Sequence, residues 1–226
     1  MDSVDELADS DLLIRWRGGD KAAAQVLIQR YYPKLERFFM NKVTSDIGDL
    51  VQDTFYALVT KHDRISDNAK FRSYLFAIAY KLLQLRFRNE ARRPGYLDVD
   101  RITAYDMEPG PSSVAARHEE EKLLLAALRR VPLNDQVLFE LHYWEGSSRT
   151  EIADILGCSA IAIKGRLQRA HDRLRKTIAD LATSPVVRDS TITNLQRWAQ
   201  GIAAQRKPHG QSVEPAGSEQ NSDEDA

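Results

Sequence analysis

Basic side chains are concentrated on one segment near the C-terminal end of the chain, where their chemistry suits phosphate binding. Residues 164–176 contain six Lys or Arg residues and one Asp. Guanidinium and ammonium groups bind DNA phosphates, and guanidinium groups also read guanine edges in the major groove. The segment follows Gly157, which interrupts an amphipathic pattern, and Ser148-Arg149-Thr150-Glu151, which has the sequence of a capping box. We therefore expect a short helix, a glycine corner and a second, basic helix over Ala160–Lys176.

This arrangement is typical of a helix-turn-helix, whose second helix enters the major groove of DNA. Ala153 is small enough to let another helix approach, and Gly157 can adopt the left-handed conformation that closes a helix. Ile163 returns an apolar side chain to the first helix. A plain helical hairpin with solvated charges is the alternative. The coincidence of capping box, turn glycine and basic second helix favours DNA binding.

A second basic segment lies in the N-terminal half, beside an apolar stripe of helical spacing. Residues 72–93 contain six Lys or Arg residues and one Glu, whereas residues 1–11 and 209–226 each contain five acidic residues and no Lys or Arg. The formal net charge of −1 conceals this segregation. Two basic stripes, each beside an apolar face, indicate contact with nucleic acid.

Helical periodicity predicts an all-α protein of two small helical domains joined by a flexible linker. In the N-terminal half we expect one helix over 21–32, capped at Asp20 or a neighbouring residue, and a second over 34–42, opened by Pro33. Two further helices carry the stripes of 47–58 and 71–85. Prolines, glycines and serines then interrupt the pattern before helices resume near Val114.

The predicted boundaries follow from these composition changes. The first domain spans 11–93, the linker 94–113 and the second domain 114–180. The C-terminal extension, 181–226, carries a stripe for one short helix and then an acidic tail that is expected to be disordered. That stripe consists of Ile192, Leu195, Trp198 and Ile202.

Other chemistries have weaker support. Asp49 and Asp53 are four residues apart on one helix and could hold a divalent cation, but no second acidic helix accompanies them. The histidines are scattered without a nucleophile beside them, and the single Cys158 excludes an internal disulfide. No apolar run approaches the roughly 18 residues that span a membrane. We therefore expect a cytoplasmic protein that is not an enzyme and holds no cofactor or metal.

Two stretches resemble sigma factors of the sigma-70 class. Residues 49–55, Asp-Leu-Val-Gln-Asp-Thr-Phe, closely resemble the helix of these factors that binds core RNA polymerase. Residues 128–176 resemble their C-terminal promoter-binding region. Both stretches occur in order, with a short linker between the domains. The chain is therefore similar to an extracytoplasmic-function sigma factor, which retains the second and fourth sigma regions, over about residues 11–178 without the linker.

The resemblance implies a protein that binds core RNA polymerase and directs promoter recognition and transcription initiation. It implies polymerase contacts from Asp49, Leu50, Gln52, Asp53 and Phe55. For the minus-10 element it implies contacts from one loop and the following helix: Asp63, Arg64, Asp67, Asn68, Lys70, Arg86 and Arg88. For the minus-35 element it implies contacts from Lys164, Arg166, Gln168, Arg169 and Arg173. The implied partners are core polymerase and promoter DNA, with an anti-sigma factor as a further candidate.

Two functions of other classes remain open at this point. The chain could be a helix-turn-helix regulator that binds operators without polymerase, or a helical adaptor that binds proteins alone. Such regulators usually pair the motif with an α/β sensor, and no strand pattern is visible in this sequence. The family's frequent Gly-Thr at the start of the recognition helix is replaced here by Ile161-Ala162. The resemblance therefore does not extend to a particular promoter sequence.

Overall fold

The computed structural model describes residues 6–40, 42–43, 45–91 and 119–194, and every regular element in these ranges is a helix. The N-terminal unit contains α1 (Asp9–Arg17), α2 (Lys21–Met40), α3 (Ile47–Val59) and α4 (Phe71–Ala91), with 3₁₀ turns at His62–Arg64 and Asn68–Lys70. The C-terminal unit contains α5 (Glu119–Arg130), α6 (Leu133–Phe139), α7 (Arg149–Leu156), α8 (Ala160–Leu181) and α9 (Pro185–Thr193). A π-helical turn, Glu140–Trp144, continues α6. The predicted all-α class is confirmed, while the linker 94–113 lies outside the described residues.

Helix α2 does not break at Pro33, so the prediction of two helices in this segment was wrong. The carboxylate of Asp20 caps the helix as expected, because its Oδ1 accepts the N–H groups of Ala22 and Ala23 at 3.0 and 3.2 Å. A proline inside a helix costs about 3 kcal/mol, whereas burying one large apolar side chain contributes about 1.5–3 kcal/mol. The stripe that crosses Pro33 is buried along its whole length, and it outweighs that cost: Ala23, Leu27, Tyr31, Leu35, Phe38 and Phe39.

Aromatic side chains of this stripe pack against α4 and close the core of the N-terminal unit. The rings of Tyr31 and Phe71 meet edge to face with centroids 5.4 Å apart, and those of Phe38 and Phe76 do so at 5.5 Å. This geometry suits the aromatic quadrupole and adds to the burial of the rings. These ring contacts fix α2 against α4.

The helix-turn-helix forms as predicted in the C-terminal unit. The Ser148 hydroxyl accepts the N–H of Glu151 at 3.2 Å, and the Glu151 carboxylate accepts the N–H of Ser148 at 2.8 Å. Gly157 ends α7 in the left-handed conformation, with φ 65° and ψ 41°. Ile163 is fully buried against the first helix. Helix α8 continues past the predicted end to Leu181, because Ala170, Leu174 and Ile178 keep one face buried.

The C-terminal extension begins with a helix that docks on the C-terminal unit. Ser184 caps α9, and Pro185 occupies its first turn, where the missing N–H costs nothing. The hydroxyl of Ser190 donates to Glu120 of α5 at 3.3 Å, and the neighbouring Thr191 is buried. Of the stripe predicted for this extension, Ile192 lies in α9. Leu195, Trp198 and Ile202 lie outside the described residues.

None of the helices in the described ranges combines the length and the apolar character needed to cross a lipid bilayer.

The glycine corner generates a stability prediction. Gly157→Ala places a β-carbon on a residue at φ +65° and should lower the free energy of unfolding by about 1–2 kcal/mol. Gly48→Ala is the matched control, because Gly48 has ordinary helical geometry and open space around it. That control should leave stability unchanged or raise it by up to about 1 kcal/mol. Urea denaturation followed by circular dichroism measures both, and equal effects of the two substitutions would contradict the conformational argument.

Candidate polymerase and nucleic-acid interfaces

The solvent face of α3 carries the polar residues of the Asp49–Phe55 motif. Asp49, Gln52 and Asp53 are exposed, and their spacing of three and four residues places them on one side of the helix. Tyr56 extends the same side by one turn and is 71% exposed. The sequence interpretation did not include Tyr56, although its position seven residues after Asp49 indicates the shared face. The result is a polar patch with one large aromatic ring beside it.

Two other members of the motif lie on the opposite side of α3. Leu50 and Phe55 are 6% and 9% exposed and belong to the core of the N-terminal unit. The ring of Phe55 stacks on Tyr32 of α2, with centroids 6.4 Å apart. These two residues therefore anchor α3 and orient its exposed face. Their side chains are not available for direct contact with another protein unless α3 moves.

The loop between α3 and α4 is organised from α1. The guanidinium of Arg17 donates to the Asn68 side chain at 2.7 Å and to the carbonyls of His62 and Ile65 at 2.8 and 2.5 Å. The ring of Trp16 stacks on that of His62 at 4.3 Å. The sequence interpretation did not include Arg17 and Trp16, because no local sequence pattern links α1 to a loop that lies about 50 residues later in the chain.

The predicted loop residues differ in what their side chains do. Asn68 is bound by Arg17, and the carboxylate of Asp67 caps the second 3₁₀ turn by accepting the N–H of Ala69 at 3.0 Å. Asp63 and Arg64 are exposed to solvent. The first pair therefore shapes the loop, whereas Asp63 makes an exposed contact with the neighbouring His62 ring at 3.5 Å.

A cleft of about 570 Å³ lies between this loop, the end of α3 and the outer side of α4. Its volume falls within the range of pockets that accept small organic groups. Charged side chains border it, and an apolar surface of α4 lines it between them. The predicted residues Arg64, Asp67 and Lys70 lie on its wall, together with Tyr74 and, from the C-terminal unit, Asp154.

Asp154 of α7 closes one side of this cleft through an ion pair. Its carboxylate lies 3.0 Å from the ammonium group of Lys70. The hydrogen bond to Asp154 holds the pKa of the Lys70 ammonium above its ordinary value. Both side chains are exposed enough for solvent to screen the attraction, so the pair is weak. A phosphate that approaches Lys70 must compete with Asp154.

The two predicted arginines of α4 also differ. Arg86 pairs with Asp46 at 2.7 Å and donates to the Ser45 hydroxyl at 3.1 Å. Hydrogen bonds from Arg86 and from Ser45 hold the pKa of the Asp46 carboxyl below its ordinary value. Arg86 therefore ties α4 to the start of α3. Arg88, two residues later, is exposed.

The predicted residues of α8 divide between two faces. Lys164 and Gln168 are exposed on the outward face. Arg166, Arg169 and Arg173 instead line a second cleft, of about 500 Å³, whose opposite wall includes Tyr80 of α4. A helix that binds DNA with its first turns can present both faces to the groove and its flanking phosphates.

Arg173 has a structural partner within the C-terminal unit. Its Nε and Nη2 atoms donate to the two carboxylate oxygens of Asp135 at 2.5 and 2.7 Å. Planar bidentate pairs of this kind are among the stronger hydrogen-bonded contacts in proteins. The bond to Asp135 holds the pKa of the Arg173 guanidinium above its ordinary value. Arg173 therefore joins α8 to α6.

The two helical units pack against each other through opposite charges. The ammonium of Lys42, just after α2, lies 3.3 Å from the carboxylate of Glu140, and their side chains are 1% and 2% exposed. Lys42 also donates to the carbonyl of Phe38 at 2.5 Å. An ion pair that is withdrawn from water to this extent is stable only while both partners are present.

A second acidic residue of the same turn extends this contact. The buried carboxylate of Glu145 lies 2.8 Å from Arg37 of α2 and 3.7 Å from Arg72 of α4. Arg72 also donates to the backbone carbonyl of Glu145 and to the Ser147 hydroxyl. Lys42, Arg37, Arg72, Glu140 and Glu145 form what we term the interdomain charge cluster. The sequence interpretation missed it, because its acidic and basic members lie far apart in sequence.

Within the described ranges, no group of three or more His, Cys, Asp or Glu residues is arranged to hold a metal ion.

Comparisons with known proteins match both units. Residues 27–93 match the family model for sigma-70 region 2, and residues 121–174 match that for sigma-70 region 4. The ECF RNA polymerase sigma-E factors of Salmonella typhimurium and Escherichia coli are each 26% identical to the chain over 186 residues, which cover 78% of this chain and 97% of theirs. That of Haemophilus influenzae is 25% identical over 187 residues, covering 79% and 99%.

Two solved structures share the fold. CnrH, in complex with the cytosolic domain of CnrY, aligns with a TM-score of 0.55 and 24% identity, covering 77% of this chain and 99% of that chain. The sigma factor RpoE of Bartonella quintana, in complex with the anti-sigma factor NepR, aligns with a TM-score of 0.51 and 22% identity, covering 72% and 99%.

The interdomain charge cluster generates a double-mutant prediction. Lys42→Met should lower the free energy of unfolding by about 3–5 kcal/mol, because the buried carboxylate of Glu140 loses its cation. Adding Glu140→Leu should restore much of that loss, since the double variant buries no unpaired charge. Denaturation of the wild type, both single variants and the double variant measures the coupling. Simple addition of the two single losses would contradict a direct buried pair.

Proposed function

The chain belongs to the extracytoplasmic-function group of the sigma-70 family, and on that premise we propose how its surfaces recruit polymerase and read a promoter. As a sigma factor it binds core RNA polymerase and directs promoter recognition. The observation that carries this function is the occurrence of sigma region 2 and sigma region 4, in order, on two helical units. A regulator acting without polymerase leaves the region 2 match unexplained, and an adaptor that binds only proteins leaves the region 4 match unexplained.

The polymerase contact is assigned to the exposed face of α3. Asp49, Gln52 and Asp53 offer acceptors and one amide on that face, and Tyr56 adds a broad aromatic surface beside them. Such a mixture of carboxylates around an aromatic residue suits a partner surface that is basic at its rim. Leu50 and Phe55 support this contact indirectly, because their buried side chains anchor α3 in the core of the N-terminal unit.

The minus-10 contact is assigned to the cleft beside α4. Extruding one base from a DNA stack costs a few kcal/mol, which contacts in a fitted pocket can offset. Arg64, Asp67 and Lys70 lie on the wall of the cleft, and Asp63 and Asn68 belong to the same loop. Arg88 is exposed on α4 and can approach the strand backbone, while Arg86 supports the helix from its pair with Asp46.

The minus-35 contact is assigned to α8 of the helix-turn-helix. Lys164 and Gln168 on the outward face, and Arg166 and Arg169 on the adjoining face, supply donors of the kinds that read base edges. Arg173 is held by Asp135 and acts from the later part of the helix, where backbone phosphates lie.

Within this function the chain supplies specificity and the polymerase performs the chemistry, so we propose that the protein is not itself an enzyme. It acts in the cytoplasm, where polymerase and chromosome meet. We also propose an anti-sigma factor as a regulator. Support comes from the related RpoE, whose solved structure contains the anti-sigma factor NepR.

The α3 assignment generates a binding prediction. Asp53→Ala and Tyr56→Ala should each weaken binding to core polymerase by about tenfold or more, as removal of a central interface side chain commonly does. Asp180→Ala is the matched control, because Asp180 is an exposed aspartate on α8 of the other helical unit. Titration of fluorescently labelled protein with core enzyme measures affinity, and run-off transcription with the reconstituted holoenzyme measures function. Unchanged affinity of both α3 variants would contradict the assignment of the polymerase contact to α3.

The α8 assignment predicts that base readers and phosphate binders fail differently. Arg169→Ala should cost about 1–3 kcal/mol on the preferred minus-35 sequence and relax the choice of base. Arg175, whose exposed pair with Asp172 spans 3.3 Å, should act on phosphates instead. Arg175→Ala should weaken binding to all duplexes and lower the salt slope by about 1. Holoenzyme binding to single-base promoter variants at two salt concentrations distinguishes them, and an even loss for Arg169→Ala would refute base reading.

A further inference from the structure

Ile161 is the most exposed large hydrophobic side chain among the described residues, at 88%. Single exposed hydrophobic residues are common on proteins, so exposure alone carries little meaning. The position of Ile161 is more informative, because it is the second residue of α8. The first turns of the second helix of a helix-turn-helix are the part that contacts base edges. The apolar side chain of Ile161 therefore lies on the part of α8 that a helix-turn-helix places in the major groove.

The helix face around Ile161 has an unusual shape. Ile161, Lys164, Gly165 and Gln168 are spaced at three, four and seven residues and share one side of α8. Gly165 is an interior helical residue, a position where glycine is less favourable than alanine. A β-carbon at Gly165 would meet the Nη1 atom of Arg169 at 3.4 Å, which is ordinary contact with the end of a mobile side chain. Packing within the described protein therefore does not require glycine there.

Ile161 and Gly165 together make a small apolar notch. The isoleucine forms one wall, and the backbone at Gly165, one turn later, carries no side chain, so that the end of the mobile Arg169 side chain is the nearest group to the β-carbon position. Lys164 and Gln168 border the notch with a cation and an amide, and both are exposed. A ligand for this notch needs one apolar group of about methyl size on an otherwise polar and anionic surface.

Thymine in the major groove meets this description. Its C5-methyl group is the apolar feature of the major-groove base edges, and it distinguishes an A·T pair from all other pairs together with the flanking acceptor and donor. We propose that the notch of Ile161 and Gly165 receives the C5-methyl group of a thymine within the minus-35 site, so that Ile161 determines specificity there. This inference rests on the proposed function of α8 as the helix that reads duplex DNA.

The test removes the methyl group from the DNA and the isoleucine from the protein separately. Duplexes are first selected with the wild-type holoenzyme from a library randomised over the minus-35 region. Each thymine of the selected sequence is then replaced singly by deoxyuridine, which lacks only the C5-methyl group. We expect one position at which this replacement weakens wild-type binding by about three- to tenfold. Ile161→Ala should lose a similar factor on the thymine duplex and nothing further on the deoxyuridine duplex.

Gly165→Ala supplies a second, independent variant. It fills the notch without removing Ile161, so it should diminish the thymine preference while leaving the melting temperature unchanged or higher. Melting curves of Ile161→Ala should match the wild type, because the side chain is exposed. Lys176→Ala serves as a control whose loss of affinity is the same on thymine and deoxyuridine duplexes.

The outcomes separate the inference from the function on which it rests. If Ile161→Ala loses affinity equally on both duplexes, or loses none, the methyl contact is wrong and the isoleucine serves another surface, such as the polymerase. If the selection with wild-type holoenzyme enriches no minus-35 sequence at all, the proposed role of α8 fails instead. Enrichment of a sequence without any thymine opposite α8 also overturns the inference.

Discussion

A lysine ammonium and a glutamate carboxylate, buried together between the two helical units, are the interaction on which the arrangement depends. Burying a lone charge costs several kcal/mol, and Lys42 and Glu140 lie 3.3 Å apart with side chains 1% and 2% exposed. The pair therefore fixes the end of α2 against the π-helical turn. Arg37 and Arg72 add to it by enclosing Glu145. These charge pairs therefore add directional contacts to the packing between the two units.

That placement connects the surfaces assigned to promoter DNA. Asp154 of the C-terminal unit reaches Lys70 at the cleft of the N-terminal unit, and Tyr80 of α4 lies opposite the arginines of α8. The exposed face of α3 and the outward face of α8 remain open to solvent. A partner protein can therefore reach the exposed face of α3 in this arrangement, and a DNA duplex can reach the first turns of α8.

Local hydrogen bonding explains which structural predictions succeeded. The capping box of Ser148 and Glu151, the cap at Asp20 and the left-handed Gly157 each depend on residues a few positions apart, so their pattern is visible in the sequence. The break expected at Pro33 did not occur, because the helix is stabilised by a buried stripe on both sides of the proline. The tendency of proline to end a helix was outweighed by the packing of α2 against α1, α3 and α4. The periodicity of α2 does not reveal the positions of those helices.

The sequence by itself determined the all-α class, the order of the helical units and the helix-turn-helix, because each follows from periodicity, caps and one glycine. It also indicated the residue types for polymerase and DNA contacts. Tertiary structure decided which of those side chains are available. Leu50 and Phe55 are buried in the core, Asn68 is bound by Arg17, and Arg173 is bound by Asp135. Their partners lie on other elements, and a contact between distant segments leaves no periodic trace in the chain.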